Sequence, residues 1–354
     1  MYSDKSAPQM ITHPNVKINL GLNVLRRRPD GYHDLETLFV PYFGIHDTLE
    51  IIPADAYSET SASLFARYGS GFSGITGASG HADRIFGSSA ASDVSGKDAA
   101  DGVAWPRVVQ AVTPDGKLMM TAARAEGVDW NPLKDLTVKA YQLLDADYDL
   151  PAVKIFLEKT SPVGAGLGGG SADAAFALRM FSELAGLGLS DEVLAGYAAR
   201  IGSDCAFFIY NRPMIGEGRG EILTPFDLPF SGPDEALSGS PSDGIPGRTM
   251  PLADFSGDGT GNGRYVLKVV VPEGISVSTA DAYRGIVPAL PQMPLREVLS
   301  RPIGEWKDLL VNDFEKTVFA RYPELAAIKQ SLYDSGAVYA AMSGSGSALF
   351  AVWE

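Results

Sequence analysis

Between Pro162 and Asp173 the chain reads Pro-Val-Gly-Ala-Gly-Leu-Gly-Gly-Gly-Ser-Ala-Asp, with five glycines in the seven positions 164–170. Glycine at that density lets backbone N–H groups turn toward a ligand that side chains would otherwise keep away. The apolar run Val153-Lys154-Ile155-Phe156-Leu157 precedes it, and an alanine-rich amphipathic stretch follows. The order strand, glycine turn, helix N-terminus favours an anion, because the helix adds unpaired N–H groups and the positive end of its dipole. The chemistry on offer is phosphate binding.

Three glycine patterns compete for this segment. Gly164-Ala165-Gly166-Leu167-Gly168-Gly169 matches the dinucleotide fingerprint, which also needs an acid ending a second strand about 20 residues on. That region is Phe181-Ser182-Glu183-Leu184-Ala185-Gly186-Leu187-Gly188, a helix running into glycines. A P-loop ends in Gly-Lys-Ser/Thr, and Gly169-Gly170-Ser171 lacks the lysine. What remains is Pro-x-x-x-Gly-Leu-Gly-Gly-Gly-Ser with small residues and an acid close behind.

Three further stretches carry polar side chains at notable places. From Val16 to Leu25 the chain alternates, with Val16, Ile18, Leu20, Leu22 and Val24 on one face and Lys17, Asn19, Gly21 and Asn23 on the other. Gly202-Ser203-Asp204-Cys205-Ala206-Phe207-Phe208 places Asp204 after a helix and, by its apolar follow-on, before a strand. An acid at the negative end of a helix dipole calls for a compensating cation. Met342-Ser343-Gly344-Ser345-Gly346-Ser347 reads by itself as a hairpin turn.

The elements that must position these residues are mixed α and β. Strands are expected over 35–42 and 47–52, after a turn at Arg26–Gly31, and over 265–271. Helices are expected over 133–144, from Ser171 as N-cap to Gly186, from Ser190 to Gly202, near Phe314 and Val318, and over Pro323–Asp334. The Ser343–Ser347 turn joins a closing pair of strands, 337–342 and 348–353. Two stretches, about 54–103 and about 231–263, lose periodicity to Ser, Gly, Ala and Pro, and read as mobile surface insertions.

At 354 residues the chain can bury a sizeable core. It has no apolar run of membrane-spanning length, and its first residues lack the basic-then-apolar pattern of an export signal. A single cysteine, Cys205, excludes an internal disulfide and fits a reducing, cytoplasmic setting. Four histidines in no ligand spacing give no metal site, and the net charge of −14 speaks against nucleic acid as partner.

Taken together, the glycine run, Lys17-Ile18-Asn19-Leu20, Arg28-Pro29-Asp30-Gly31-Tyr32-His33, Asp204 and the terminal glycine turn resemble the GHMP kinases. The spacing of the second and third motifs narrows the resemblance to a branch of that superfamily. Its members phosphorylate the 2-hydroxyl of a cytidine diphosphate-linked methylerythritol, on the non-mevalonate route to isoprenoids. The resemblance implies a two-domain α+β fold with a ligand cleft between the domains, 1–212 carrying the ATP loop and 213–354 following. It implies ATP and Mg²⁺, a soluble monomer or homodimer, and no membrane or nucleic-acid partner. Lys17 and Asp204 would be catalytic. Lys159, Pro162, Val163, Gly164, Ala165, Gly166, Leu167, Gly168, Gly169, Gly170, Ser171 and Ala172 would hold the nucleotide. Asn19, Tyr32, His33, Thr279 and Tyr283 would hold the acceptor, the two tyrosines stacking on cytosine. Cys205 and Ala206 depart from the family's Val-Pro. Asn312-Asp313-Phe314-Glu315 also matches the family, and is expected to support the fold rather than touch ligand. Two alternatives share part of the pattern. A sister kinase with another alcohol would need neither Tyr32-His33 nor Tyr283, and a non-catalytic nucleotide-binding protein would need neither Lys17 nor Asp204.

Overall fold

The computed structural model describes residues 10–56, 58–68, 72–75, 105–228, 250–251 and 265–354. Short strand β1 (Met10–Thr12) leads into β2 (Asn15–Arg27), β3 (His33–His46) and β4 (Thr48–Pro53). The alternation that predicts β2 holds, and the strand runs on through Arg27. The turn is therefore shorter than expected and is closed by Arg28 N–H donating to the Tyr32 carbonyl. Both faces of β2 are buried from Asn15 to Val24, so its polar residues lie inside the protein and need partners there.

The stretch expected to be irregular from 54 contains helix α1 (Glu59–Tyr68) and strand β5 (Phe72–Ile75); its remainder to 103 lies outside the described residues. Helix α1 is held at its middle and its C-terminal end. Leu64 packs into a cluster with Ile52, Val108, Val112, Met119, Ala123 and Phe156, while Arg67 and Tyr68 both donate to Glu158. Strands β6 (Val108–Val112) and β7 (Leu118–Arg124) follow. Asn131 caps one turn of 3₁₀ helix, and Asp135 then caps α2 (Leu136–Tyr148). Strand β8 (Val153–Lys159) leads to the glycine segment and to α3 (Gly169–Leu184).

Helix α3 starts two residues before the expected cap. Gly168, at φ 74°, ends the loop, and the backbone turns helical at once, so Ser171 lies within the first turn instead of capping it. Ser190 caps α4 (Asp191–Ile201), as its type and place predict. The apolar run after Asp204 is a helix, α5 (Cys205–Tyr210), and not the expected strand. A short all-apolar run carries no period that separates the two.

Strands β9 (Met214–Gly218), β10 (Ile222–Pro225), β11 (Met250–Pro251) and β12 (Val266–Val270) precede α6 (Thr279–Tyr283) and α7 (Leu295–Leu299). Apart from β11, the expected insertion at 231–263 lies outside the described residues. Helices α8 (Trp306–Leu309), α9 (Phe314–Arg321) and α10 (Pro323–Asp334) lead to the closing hairpin of β13 (Tyr339–Met342) and β14 (Leu349–Trp353).

Three sheets result, ordered β1-β4-β8-β7-β6-β5, β10-β9-β3-β2 and β11-β12-β14-β13. In the first, β7 runs parallel to β8 with Met120 opposite Ile155; in the third, Ala341 on β13 faces Phe350 on β14. The chain forms two units, one of residues 1–14, 45–161 and 169–210, the other of 15–44, 162–168 and 211–354. The first contains the six-stranded sheet with α1 to α5. The second contains both four-stranded sheets and the later helices around a core of Leu22, Val24, Val277, Phe314, Val318, Leu325, Met342 and Leu349.

Candidate functional site

In the second unit the buried polar face of β2 is met by two glycine turns. Lys17, only 3% exposed, donates from Nζ to Asn19 Oδ1 at 2.5 Å and to the Gly166 carbonyl at 3.0 Å. Its backbone N–H donates to the Leu167 carbonyl at 2.9 Å, and the Ala348 N–H donates to the Ala165 carbonyl at 3.1 Å. In a trans peptide, the carbonyl of one residue and the N–H of the next point in opposite directions. The carbonyls of 165, 166 and 167 face β2 and the terminal hairpin. The N–H groups of Gly166, Leu167 and Gly168 therefore face away from them, side by side. Gly164, Gly166 and Gly168 adopt φ of 72°, 76° and 74°, which only glycine takes without strain. A Cβ at Gly166 would also lie 2.5 Å from the Ser343 carbonyl oxygen. Such a run of amides on one side has the geometry that can serve as an anion nest.

The terminal turn is locked to the same place. Asn19 N–H donates to Ser343 Oγ at 3.2 Å, and Asn19 Nδ2 donates to Thr37 Oγ1 at 3.0 Å. A Cβ on Gly344 would come within 2.9 Å of the Gly166 carbonyl and 3.4 Å of Lys17 Nζ. Asn312 donates from Nδ2 to the Met342 and Gly344 carbonyls at 2.7 and 2.9 Å, which braces the terminal turn. Three motifs far apart in the sequence thus meet in one unit.

The acceptor residues form a second group in this unit. The rings of His33 and Tyr283 stack at 4.8 Å with 18° between their planes, and Phe314 meets Tyr283 edge-on at 4.7 Å. Tyr32 is 57% exposed, with the Arg219 guanidinium 5.2 Å over its ring. The structure thus pairs Tyr283 with His33, and Tyr32 with a cation. Thr279, exposed at the head of α6, lies 3.3 Å from Ser345 through their hydroxyls.

In the first unit, Asp204 is half-buried directly before α5 and accepts from Ser203 Oγ at 3.2 Å. Because α5 is a helix, Asp204 faces the positive end of its dipole as well as the negative end of α4, which removes the expected local penalty. Cys205 is buried, and burial pushes its thiol up to about 12 against the opposing Ser171 hydrogen bond. Along the glycine run Val163, Gly164 and Gly170 are exposed, Pro162, Gly166, Gly168 and Ser171 half-buried, and Ala165, Leu167, Gly169 and Ala172 buried. Lys159 Nζ lies between two carboxylates, Asp47 at 2.5 Å and Asp173 at 2.6 Å. Neither acid stands out in the sequence, since each is far along the chain from what it touches or masked by a first-turn position.

A family model described as the GHMP kinases N terminal domain matches residues 135–212, and the GHMP kinases C terminal model matches residues 295–354. The chain is similar to 4-diphosphocytidyl-2-C-methyl-D-erythritol kinase of Bacteroides fragilis, 38% identical over 97% of this chain and 92% of that one. The enzyme of the same name from Bacteroides thetaiotaomicron is 36% identical over 98% and 92%. A crystal structure of 4-(cytidine 5'-diphospho)-2C-methyl-D-erythritol kinase superposes with a TM-score of 0.59 and 26% identity, covering 97% of this chain and 89% of that one. No helix among the described residues is long and apolar enough to cross a membrane.

Proposed function

We propose a reaction that proceeds from one premise: the chain belongs to the 4-diphosphocytidyl-2-C-methyl-D-erythritol kinase family of the GHMP kinases. It transfers the γ-phosphoryl group of ATP to the 2-hydroxyl of 4-diphosphocytidyl-2-C-methyl-D-erythritol, a step of the non-mevalonate (MEP) route to isoprenoids. The cytoplasm, where Cys205 stays reduced, is the setting we assign.

The nucleotide phosphates are assigned to Pro162–Ala172. The amides of Gly166, Leu167 and Gly168 offer donors of the kind phosphate oxygens accept from, and Gly166 leaves no room for any side chain. Among the described residues no three His, Cys, Asp or Glu side chains gather to hold a metal ion. We therefore assign Mg²⁺ to the phosphates, the usual manner of its binding in kinases. When bound, the magnesium nucleotide supplies the transferable phosphoryl group. Asp204 takes the proton of the 2-hydroxyl as that oxygen bonds to the γ-phosphorus and the bridging oxygen leaves with ADP. Lys17 is assigned to hold the reacting oxygen's charge, and Asn19 to fix the lysine through their 2.5 Å bond. His33 and Tyr283 are assigned to the cytosine, with Tyr32 and Thr279 beside them.

What supports this reading best is the meeting of Lys17, Asn19, Gly166 and Ser343 in one buried polar cluster. The test is ADP release by the purified protein with ATP and, separately, the cytidyl alcohol, homoserine or mevalonate. Release with the cytidyl alcohol alone is expected. Faster release with another alcohol would reassign the acceptor, and ATP binding without release would make the chain a nucleotide-binding protein only.

A further inference from the structure

A knot of four polar side chains in the first unit has no part in the chemistry just described. Asp47 lies between β3 and β4, Lys159 ends β8, Ser161 is the last residue before segment 162–168, and Asp173 is the fifth residue of α3. Their exposures are 0, 6, 3 and 1%, in that order. Asp47 is saturated with donors. Its Oδ2 accepts from Lys159 Nζ at 2.5 Å and Ser161 Oγ at 2.6 Å, and its Oδ1 accepts from the N–H groups of Thr160 and Ser161, both at 2.7 Å. Lys159 Nζ reaches on to Asp173 Oδ2 at 2.6 Å. Asp173 Oδ1 is buried with no hydrogen-bond partner among the described residues.

The knot closes on the first residue after the segment as well as the last residue before it. A Cβ on Gly169 would lie 2.3 Å from Ser161 Oγ and 3.4 Å from Lys159 Nζ. Ser161 and Gly169 therefore touch, and both rest on groups that Asp47 holds. A chain segment whose two ends are pinned at contact distance has far fewer conformations than a free one of the same length. Glycines make that restraint matter more, because an unpinned glycine run loses the most entropy when a ligand orders it.

We propose that Asp47 is a positioning residue for nucleotide binding: through Ser161 and Lys159 it fixes both ends of segment 162–168, so that the loop amides are ordered before ATP arrives. This rests on the reading that Pro162–Ala172 holds the ATP phosphates. The charge count identifies the partner acid's part. Two carboxylates and one ammonium leave one negative charge buried, and the acid with one donor, Asp173, is the one to take a proton, whereas Asp47 has four. Asp173 thus serves as a neutral end-stop for Lys159.

Calorimetric titration of the full chain with ATP, beside steady-state kinetics, tests this. Asp47→Asn is expected to weaken ATP about ten- to a hundredfold, because the charged acceptor of four bonds is lost. The KM for ATP should rise in step, while kcat at saturating ATP and the KM for the cytidyl alcohol move by less than about twofold. Ser161→Ala, which keeps the Asp47–Lys159 pair, should weaken ATP about three- to tenfold and serves if the first variant does not fold. Asp173→Asn, the isostere of the protonated acid, should retain the ATP affinity that Asp173→Ala loses. Wild-type ATP affinity in folded Asp47→Asn or in Ser161→Ala overturns the inference, as does an equal fall in kcat and in the affinity for both substrates. If instead the wild type binds no ATP, or Gly166→Ala binds it as tightly as the wild type, the nucleotide reading itself is what has failed.

Discussion

Among the described residues two lysines are almost wholly enclosed, one in each unit, and each donates to oxygens of a different kind. Lys159 is bonded to two carboxylates, Asp47 and Asp173. Lys17 donates to an amide oxygen and a peptide carbonyl, those of Asn19 and Gly166. Both ammonium groups lose the same hydration, yet they leave different remainders when removed. Without Lys159, two acids stay buried with their cation gone, a change that typically costs about 3–5 kcal/mol. Without Lys17, the Asn19 and Gly166 oxygens among its partners lose a donor, at about 1–3 kcal/mol each. The depth of a charged side chain therefore says little about its purpose. The chemistry of its partners predicts whether a substitution is read in stability or in rate.

That contrast can be broken most sharply at the reaction. Asp204→Ala and Lys17→Met should each lower turnover by about 10²- to 10⁴-fold while ATP still binds, measured by ADP release and by calorimetry. Lys17→Met should stay folded through this. A variant that instead unfolds with little loss of rate per folded molecule would erase the difference between the two lysines. Lys159→Met is the opposite case, and urea unfolding should show it losing about 3–5 kcal/mol. A loss under about 1 kcal/mol would mean that the carboxylates around it share the burden in some other way.

Smaller effects sharpen the comparison within each unit. Tyr283→Ala should raise the KM for the cytidyl alcohol by about five- to a hundredfold, the worth of one stacked base, with the KM for ATP unmoved. An unchanged acceptor KM would leave the His33–Tyr283 stack a packing contact. The least effect concerns pH. Burial, with Asp47 and Asp135 nearby, holds the Asp173 carboxyl well above its usual range, against the pull of Lys159. A raised acid contributes stability below its ordinary value near 3.8 and loses it as pH rises through the shifted one. Burial also works against the charge of Asp47, but Lys159 and the Ser161 bonds outweigh it and hold that carboxyl low. Its contribution is lost only as pH falls. As pH rises above the ordinary carboxylate range, urea midpoints should therefore decline in the wild type and flatten in Asp173→Asn. Identical slopes would place the proton elsewhere.

Much of this was legible in the residues wherever a local signal was strong. The period of two from Val16 to Val24 identifies β2, and Ser190 with Gly202 brackets α4. Pro323 and Gly336 likewise bound α10. The glycine run and the two turn motifs pointed to the Lys17 cluster because each carries an unusual composition. Other features left no local trace. The run Cys205–Tyr210 is apolar on every side, so strand and helix look alike in it, and α1 sits in a stretch whose composition resembles linker. The Asp47 knot joins residues 112 and 14 positions apart, and nothing in the neighbourhood of Asp47 marks it as the partner of Lys159.

One bond of the Lys17 cluster also sets a schedule for synthesis. Asn19 and Ser343 are 324 residues apart, so every fragment that stops short of Ser343 lacks the contact that ties β2 to the terminal turn. At ribosomal speeds, on the order of tens of seconds separate the emergence of the two residues. A nascent chain carries Lys17, the glycines and Asp204 through the last part of that interval while the cradle's last wall is still unmade.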